Sequence, residues 1–208
     1  TDTEPQCSTV NYTQNASGWN EVKNVSQLQC IGSNGLNEDY VLIDDIDASG
    51  TNQWNGRAGF DPIANGSAFH GPFDGSGYTI ATLTIDRPSS SNPVGLFSKL
   101  DHAATVQKVV IDDANITGNG PVGGLVGRNA GTVHNVTVTG SITGTKPNQY
   151  TNVGAIVGRH DAAGELVDVN ASGSVTGHGR VGGIVGISRG TITRAHATVD
   201  VTASGQYA

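Results

Sequence analysis

Val122-Gly-Gly-Leu-Val-Gly127 is the stretch on which the reading of this chain turns. Near copies of it stand at Val94-Gly-Leu-Phe97, Val153-Gly-Ala-Ile-Val-Gly158 and Val181-Gly-Gly-Ile-Val-Gly186. The first valines are separated by steps of 28, 31 and 28 residues. A period of that length marks a repeated supersecondary unit rather than a set of unrelated glycine-rich loops.

Each copy is followed by a second patterned run. Val133, Val136, Val138, Gly140, Ile142 and Gly144 align with Leu166, Val169, Ala171, Gly173, Val175 and Gly177. They align again with Ile192, Ala195, Ala197, Val199, Val201 and Ala203. The earlier copy, with Val106, Val109, Ile111 and Ile116, fits with one extra residue. Apolar residues alternating with Thr, Ser or Asn give the period of a strand with one buried face. One such unit cannot cover its own apolar face, but stacked units can, each strand pairing with the one above. The expected fold is therefore all-β, a β-solenoid of the parallel β-helix kind. Small inward residues such as Ala171, Gly173, Ala195 and Ala197 predict a narrow core. Pairs such as Gly123-Gly124 and Gly182-Gly183 predict either positive φ or close backbone approach at a corner.

The repeats resemble the GLUG motif, named for its G-L-hydrophobic-G centre. That centre is present as Gly124-Leu-Val-Gly127 and Gly183-Ile-Val-Gly186, with Ala155-Ile-Val-Gly158 and Gly95-Leu-Phe-Ser98 as departures. Phe60-Asp-Pro-Ile63 and Phe73-Asp-Gly-Ser-Gly-Tyr-Thr-Ile80 look like the lead-in common in such proteins. The resemblance covers residues 38–208 and implies architecture more than chemistry. It implies a bacterial or archaeal surface protein or adhesin, and the motif also occurs beside proteases and other enzymes.

Residues 1–37 form a separate N-terminal cap segment. Cys7 and Cys30 are the only cysteines, and a single disulfide between them is expected to staple it. Trp19, Val22, Val25 and Leu28 recur every third residue and predict a short helix over 19–28. Residues 40–46 and 78–85 each read as one strand, the second with a phase slip.

Seven N-x-S/T sequons begin at Asn11, Asn15, Asn24, Asn65, Asn115, Asn135 and Asn170, against about three by chance for this composition. With the disulfide they point to an exported, extracellular or cell-surface glycoprotein. Asn115, Asn135 and Asn170 fall on the outward phase of the array. A net charge of −7 without a basic run excludes a nucleic-acid partner. No apolar run reaches the roughly 20 residues of a membrane helix, and a mature chain without a leader is expected.

The sequence offers little chemistry. The six histidines form no metal-binding spacing and read as surface residues, and no cofactor motif is present. Asp44, Asp45 and Asp47 are the calcium candidates, joined by Asp61 and Asp74 if the fold brings them near. Asp112 and Asp113 are the only acidic pair on an array strand, yet Asp112 aligns with Thr139, Ser172 and Thr198, which gives no carboxylate pair across rungs. Lys108, Asn135, Asp168 and Arg194 share one outward column, so Asp168 and Arg194 should be neighbours.

A further copy of the valine-glycine strand falls due at position 209, one residue past Ala208. Val199, Val201 and Tyr207 are therefore expected on an open assembly edge, where further repeats of a longer protein or other copies of the chain would stack. The function expected is a non-catalytic structural or adhesive module. One alternative is a fibre subunit stacking head to tail. Another is a carbohydrate-binding or carbohydrate-cleaving β-helix that stacks surface glycans on Trp54, Tyr150 and Tyr207.

Overall fold

A computed structural model describes residues 3–146 and 151–204. It is a parallel solenoid whose rungs carry up to three strands each. The long wall is built by Thr105–Gly118, Thr132–Gly144, Glu165–Gly177 and Thr191–Ala203, paired in parallel in that order. A second sheet stacks Phe97–Leu100, Val126–Asn129, Val157–His160 and Val185–Ser188. The third stacks Val122–Gly123, Thr151–Gly154 and Gly179–Gly182.

The register of the wall is the one the apolar pattern demands. Val133, Val136, Val138 and Ile142 pair with Leu166, Val169, Ala171 and Val175, and these with Ile192, Ala195, Ala197 and Val201. The extra residue of the first rung is a bulge opposite Val138 to Gly140, at Asp112-Asp113. A one-residue slip anywhere would turn the buried valines outward, so burial fixes the register.

Each wall strand also turns a corner. Lys108, Asn135, Asp168 and Arg194 have φ of 51°, 54°, 54° and 52°. One left-handed residue per rung rotates the chain, which is why Val133 and Val136, or Leu166 and Val169, are three apart yet both buried. Non-glycine residues rarely adopt this conformation, and its recurrence in four successive rungs makes it a built feature of the wall.

The motif glycines serve the opposite wall. Gly123, Gly124, Gly127 and Gly158 all have ordinary φ, so close approach is what selects them. A Cβ on Gly158 would overlap the Val122 backbone nitrogen and lie 2.8 Å from the Gly127 oxygen. On Gly127 it would overlap the Val94 nitrogen and lie 2.6 Å from the Pro93 carbonyl carbon. The second and third sheets thus meet backbone to backbone, while Leu96, Leu125 and Ile156 between the glycines enter the core at 0% exposure.

The lead-in belongs to the same solenoid. Pro72–Asp74, Thr79–Ala81 and Thr84–Arg87 pair in succession with the one long strand Thr105–Gly118. The single strand expected over 78–85 is therefore two, parted at Thr82 with φ 58°, and the half-buried Tyr78 packs against the core just before the first of them. Likewise residues 40–46 give Tyr40–Leu42 and Ile46–Asp47. Rings fill this wider end: Tyr40, Phe69, Phe97 and Phe73 follow one another with centroids 6.1, 5.1 and 5.4 Å apart.

Cys7 and Cys30 form the expected disulfide. The helix differs from expectation: α1 runs over Val25–Asn34, and Asn20–Val22 is a strand that pairs with Tyr40–Leu42. Only Val25 and Leu28 of the four residues spaced by three lie on the helix, because the Asn24 side chain, accepting from the Gln27 amide at 2.9 Å, sets its start, while Asn20 and Val22 alternate inward as a strand. Leu28, Cys30 and Ile31 then close the base of the core.

His160 departs from the surface placement expected of the histidines, being fully buried. It stacks on Asn129 at the bend leaving the second sheet, where Gly164 and Gly190 leave room for it; a Cβ on either would come within 2.5 Å of the ring. Its Nδ1 lies 3.2 Å from the Asn129 amide nitrogen and its Nε2 3.2 Å from the Thr191 carbonyl. A neutral ring donating from Nε2 and accepting at Nδ1 satisfies both. Burial lowers its pKa, against the opposing effects of the Thr191 carbonyl and Asp161. The stability it gives is present in full above the unfolded value of about 6.5 and is lost as pH falls through the lowered folded value. Urea unfolding at graded pH should show stability declining on acidification below about 6.5, and His160→Asn should flatten that decline. An unchanged slope in the variant would assign it to other groups.

Candidate functional site

The last described rung is the part of the solenoid left uncovered. Thr191–Ala203, Val185–Ser188 and Gly179–Gly182 each stand at one end of their sheets, with a strand neighbour on one side only among the described residues. Ile142 and Val175 are buried, but Val201 in the same column is 47% exposed, and Ile192 is 39% exposed above the buried Leu166. Val199 is half-buried. Tyr207, the third residue expected on this edge, lies outside the described residues, as does Tyr150. Unpaired N–H and C=O groups beside an apolar strip make a template for one more parallel strand.

The outer face of the wall is polar. Asp168 and Arg194 meet as expected, with Nε to Oδ1 at 2.5 Å and a guanidinium nitrogen to Oδ2 at 2.8 Å, and His134 adds a contact at 3.5 Å. The Arg194 hydrogen bond holds the Asp168 carboxyl below its ordinary range. Asn115, Asn135 and Asn170 all point to solvent, as do Asn11, Asn24 and Asn65, while Asn15 is half-buried with its side-chain oxygen accepting from Ser17 and Trp19.

The sites considered for chemistry are engaged in local structure. Asp112 accepts from the Thr139 hydroxyl at 2.6 Å, and that hydroxyl accepts from the Asp113 amide. The column continues with Ser172 and Thr198. Asp44, Asp45 and Asp47 accept from the amides of Asp45, Thr79 and Ser49. Asp61 pairs with Arg87 at 3.1 Å and Asp74 with Lys108 at 3.4 Å. Among the described residues no group of three or more His, Cys, Asp or Glu side chains is placed to hold a metal ion. Trp54 is corrected outright: it is 1% exposed, in the core, and offers no sugar platform. Its polar-loop context hid this, because the loop folds back through 3-10 turns over Ser49–Gln53 and Asn55–Arg57.

A family model described as the GLUG motif matches residues 118–143, which hold one full turn of valine-glycine strand, second-sheet strand and wall. The chain is 40% identical over 194 residues to halomucin of Haloquadratum walsbyi, which covers 90% of this chain and 2% of halomucin. It is 34% identical over 111 residues to an Evansella cellulosilytica protein named as a Gly-rich membrane protein, covering 50% of this chain and 13% of the other. The chain thus spans a small part of the curated relatives it matches. Among solved structures, a Bacteroides ovatus protein named as an immunoglobulin A1 protease superposes with a TM-score of 0.59 at 18% identity, over 91% of this chain and 69% of the other. What is shared at that identity is the fold.

Proposed function

We propose that this chain, which carries the GLUG motif over residues 118–143 within a stack of like rungs, is a non-catalytic structural module of an extracellular, cell-surface protein. The observation that carries the reading is the uncovered last rung, with Val201 and Ile192 exposed where the rungs below bury their counterparts. In a chain holding more copies of the unit, the next rung takes that seat. Similarity to two relatives that are many times longer than the matched part supports a module within a large protein. The polar outer wall, with sequon residues Asn115, Asn135 and Asn170 turned outward, supports N-linked sugar on it. Adhesion would be carried by that outer face. The division into a cap over 1–37 and a solenoid over 38–208 belongs to the same reading.

One experiment on the 208-residue chain tests the module and its sugars together. Light scattering should give a mass that rises with concentration, because copies of the isolated chain meet through the open edge. Val201→Lys, which puts a charge on that edge, should hold the chain monomeric. Intact mass of material made in the native host should exceed that of the bare polypeptide. A monomer at all concentrations would sink the stacking edge, and a bare mass would remove the glycans.

A further inference from the structure

The chain carries a net charge of −7 but gathers five of its eleven Lys and Arg residues on one flank. Lys99, Arg128 and Arg159 are register partners on three successive rungs of the second sheet. In the fourth rung Ile187 takes the column, and Arg180 and Arg189 supply the charge beside it. Arg159, Arg180 and Arg189 line one pocket of about 60 Å³ together with Asn152, His160 and Ile187. That is room for a few waters or one oxyanion group.

The carboxylates on this flank leave a surplus of positive charge. Asp161 takes Nε of Arg128 at 2.5 Å and Nε of Arg159 at 2.8 Å. Burial pushes its carboxyl up, but the two arginines outweigh this and hold it below the usual range. Asp101, at the far end, is shared with His70 and His102. One carboxylate cannot neutralise two guanidinium groups, and Arg189 makes no side-chain hydrogen bond or ion pair among the described residues. The pairing of its Nε also restrains the Arg159 guanidinium, which lines the pocket, so an anion bound there meets it at reduced entropic cost.

We infer that this flank binds an anionic polysaccharide, with a sulfate or carboxylate group seated among Arg159, Arg180 and Arg189 and the sugar chain running down the solenoid axis past Arg128 and Lys99. Guanidinium forks match the oxygens of both groups. The rungs lie about 4.8 Å apart, so the four levels space their cations over about 14 Å, a line that suits a repeating polyanion better than a single small ion. Arg180 and Ile187 belong to strands of the last described rung, whereas Lys99, Arg128 and Arg159 lie on the rungs before it, and none of the five cations is a sequon residue or one of the edge residues Val199 and Val201.

Dextran sulfate and alginate, with neutral dextran as blank, are the probes for a retention or calorimetric measurement on the 208-residue chain. Binding to at least one anionic probe is expected, weakening as salt rises. Arg159→Gln with Arg189→Gln should weaken it by about tenfold or more, while Lys23→Gln with Arg57→Gln, which removes the same charge elsewhere, should change it by less than about twofold. Preference for dextran sulfate or for alginate identifies the oxyanion, and either supports the site. Equal loss in the two double variants, equal binding of neutral dextran, equal binding of a polynucleotide, or no binding at all would overturn it. Matching thermal unfolding of the two variants guards against a folding defect.

Discussion

Gly158→Ala lowers the unfolding midpoint of the chain by about 6–12 °C. The added Cβ overlaps the Val122 nitrogen and presses on the Gly127 oxygen and the Pro121 carbonyl carbon, all of them backbone atoms, the first two in strands of the third and second sheets. Side chains give way to an extra methyl by changing rotamer, but a paired backbone cannot. The second and third sheets must part, at a cost of about 3 kcal/mol, and each kcal/mol moves the midpoint of a chain this size by about 2–4 °C. Gly183→Ala is the control. The nearest atoms to a Cβ there are side-chain atoms, the Ala197 Cβ at 3.3 Å, the Val199 Cβ at 3.8 Å and the Val201 Cγ2 at 4.0 Å, so the midpoint should move by no more than about 2 °C. Thermal unfolding by circular dichroism separates the two, and an equal response would mean that close approach does not explain the motif glycines.

Removing the disulfide has an effect of similar size at the other end of the solenoid. Cys7 and Cys30 are 23 residues apart, and opening a loop of that length releases about 3 kcal/mol of unfolded-chain entropy. The other contacts that hold the segment include Tyr12 donating to the Gln27 carbonyl, Gln27 donating to the Asn11 carbonyl at 2.8 Å, the Tyr12 and Tyr40 rings at 5.7 Å, and the pairing of Asn20–Val22 with Tyr40–Leu42. Cys7→Ser with Cys30→Ala should therefore lower the midpoint by about 6–12 °C. Hydrogen exchange should show α1 and Asn20–Val22 losing protection before the wall strands. Protection lost evenly along the chain would mean that the base does not open as a local unit.

The wall was readable in the sequence because burial leaves a trace at every second residue, and four aligned copies fix one register. The lead-in was less so: three short strands lie on one long neighbour, and their breaks at residues 75–78 and 82–83 look like phase slips. The left-handed corner had a visible sign, the gap of three between Val133 and Val136, but Lys, Asn, Asp and Arg at that column share no chemistry that marks a turn. Trp54 and His160 were misplaced for a common reason. Burial of a polar-flanked aromatic or of a histidine depends on how the chain folds around it: the 3-10 turns on either side of Trp54 leave no apolar period to read, and the His160 partners Asn129 and Thr191 each lie 31 residues away. The basic flank was hidden because its arginines are spaced a rung apart, and a search for basic runs passes over them.

The step of 31 residues between two steps of 28 leaves the ladder undisturbed, since Val122 still pairs with Val153 and Val133 with Leu166. Gly144 and Val153 are nine residues apart where Gly118 and Val122, or Gly177 and Val181, are four apart, and the run from Val122 to Gly144 is two residues shorter than its counterparts, which leaves a step longer by three. Height and girth are therefore independent variables in this molecule. Pairing with the strands above and below fixes the register of the wall, and that register is the same on both sides of the longer connector. Sequence can accumulate in that connector while the ladders on either side of it keep their register.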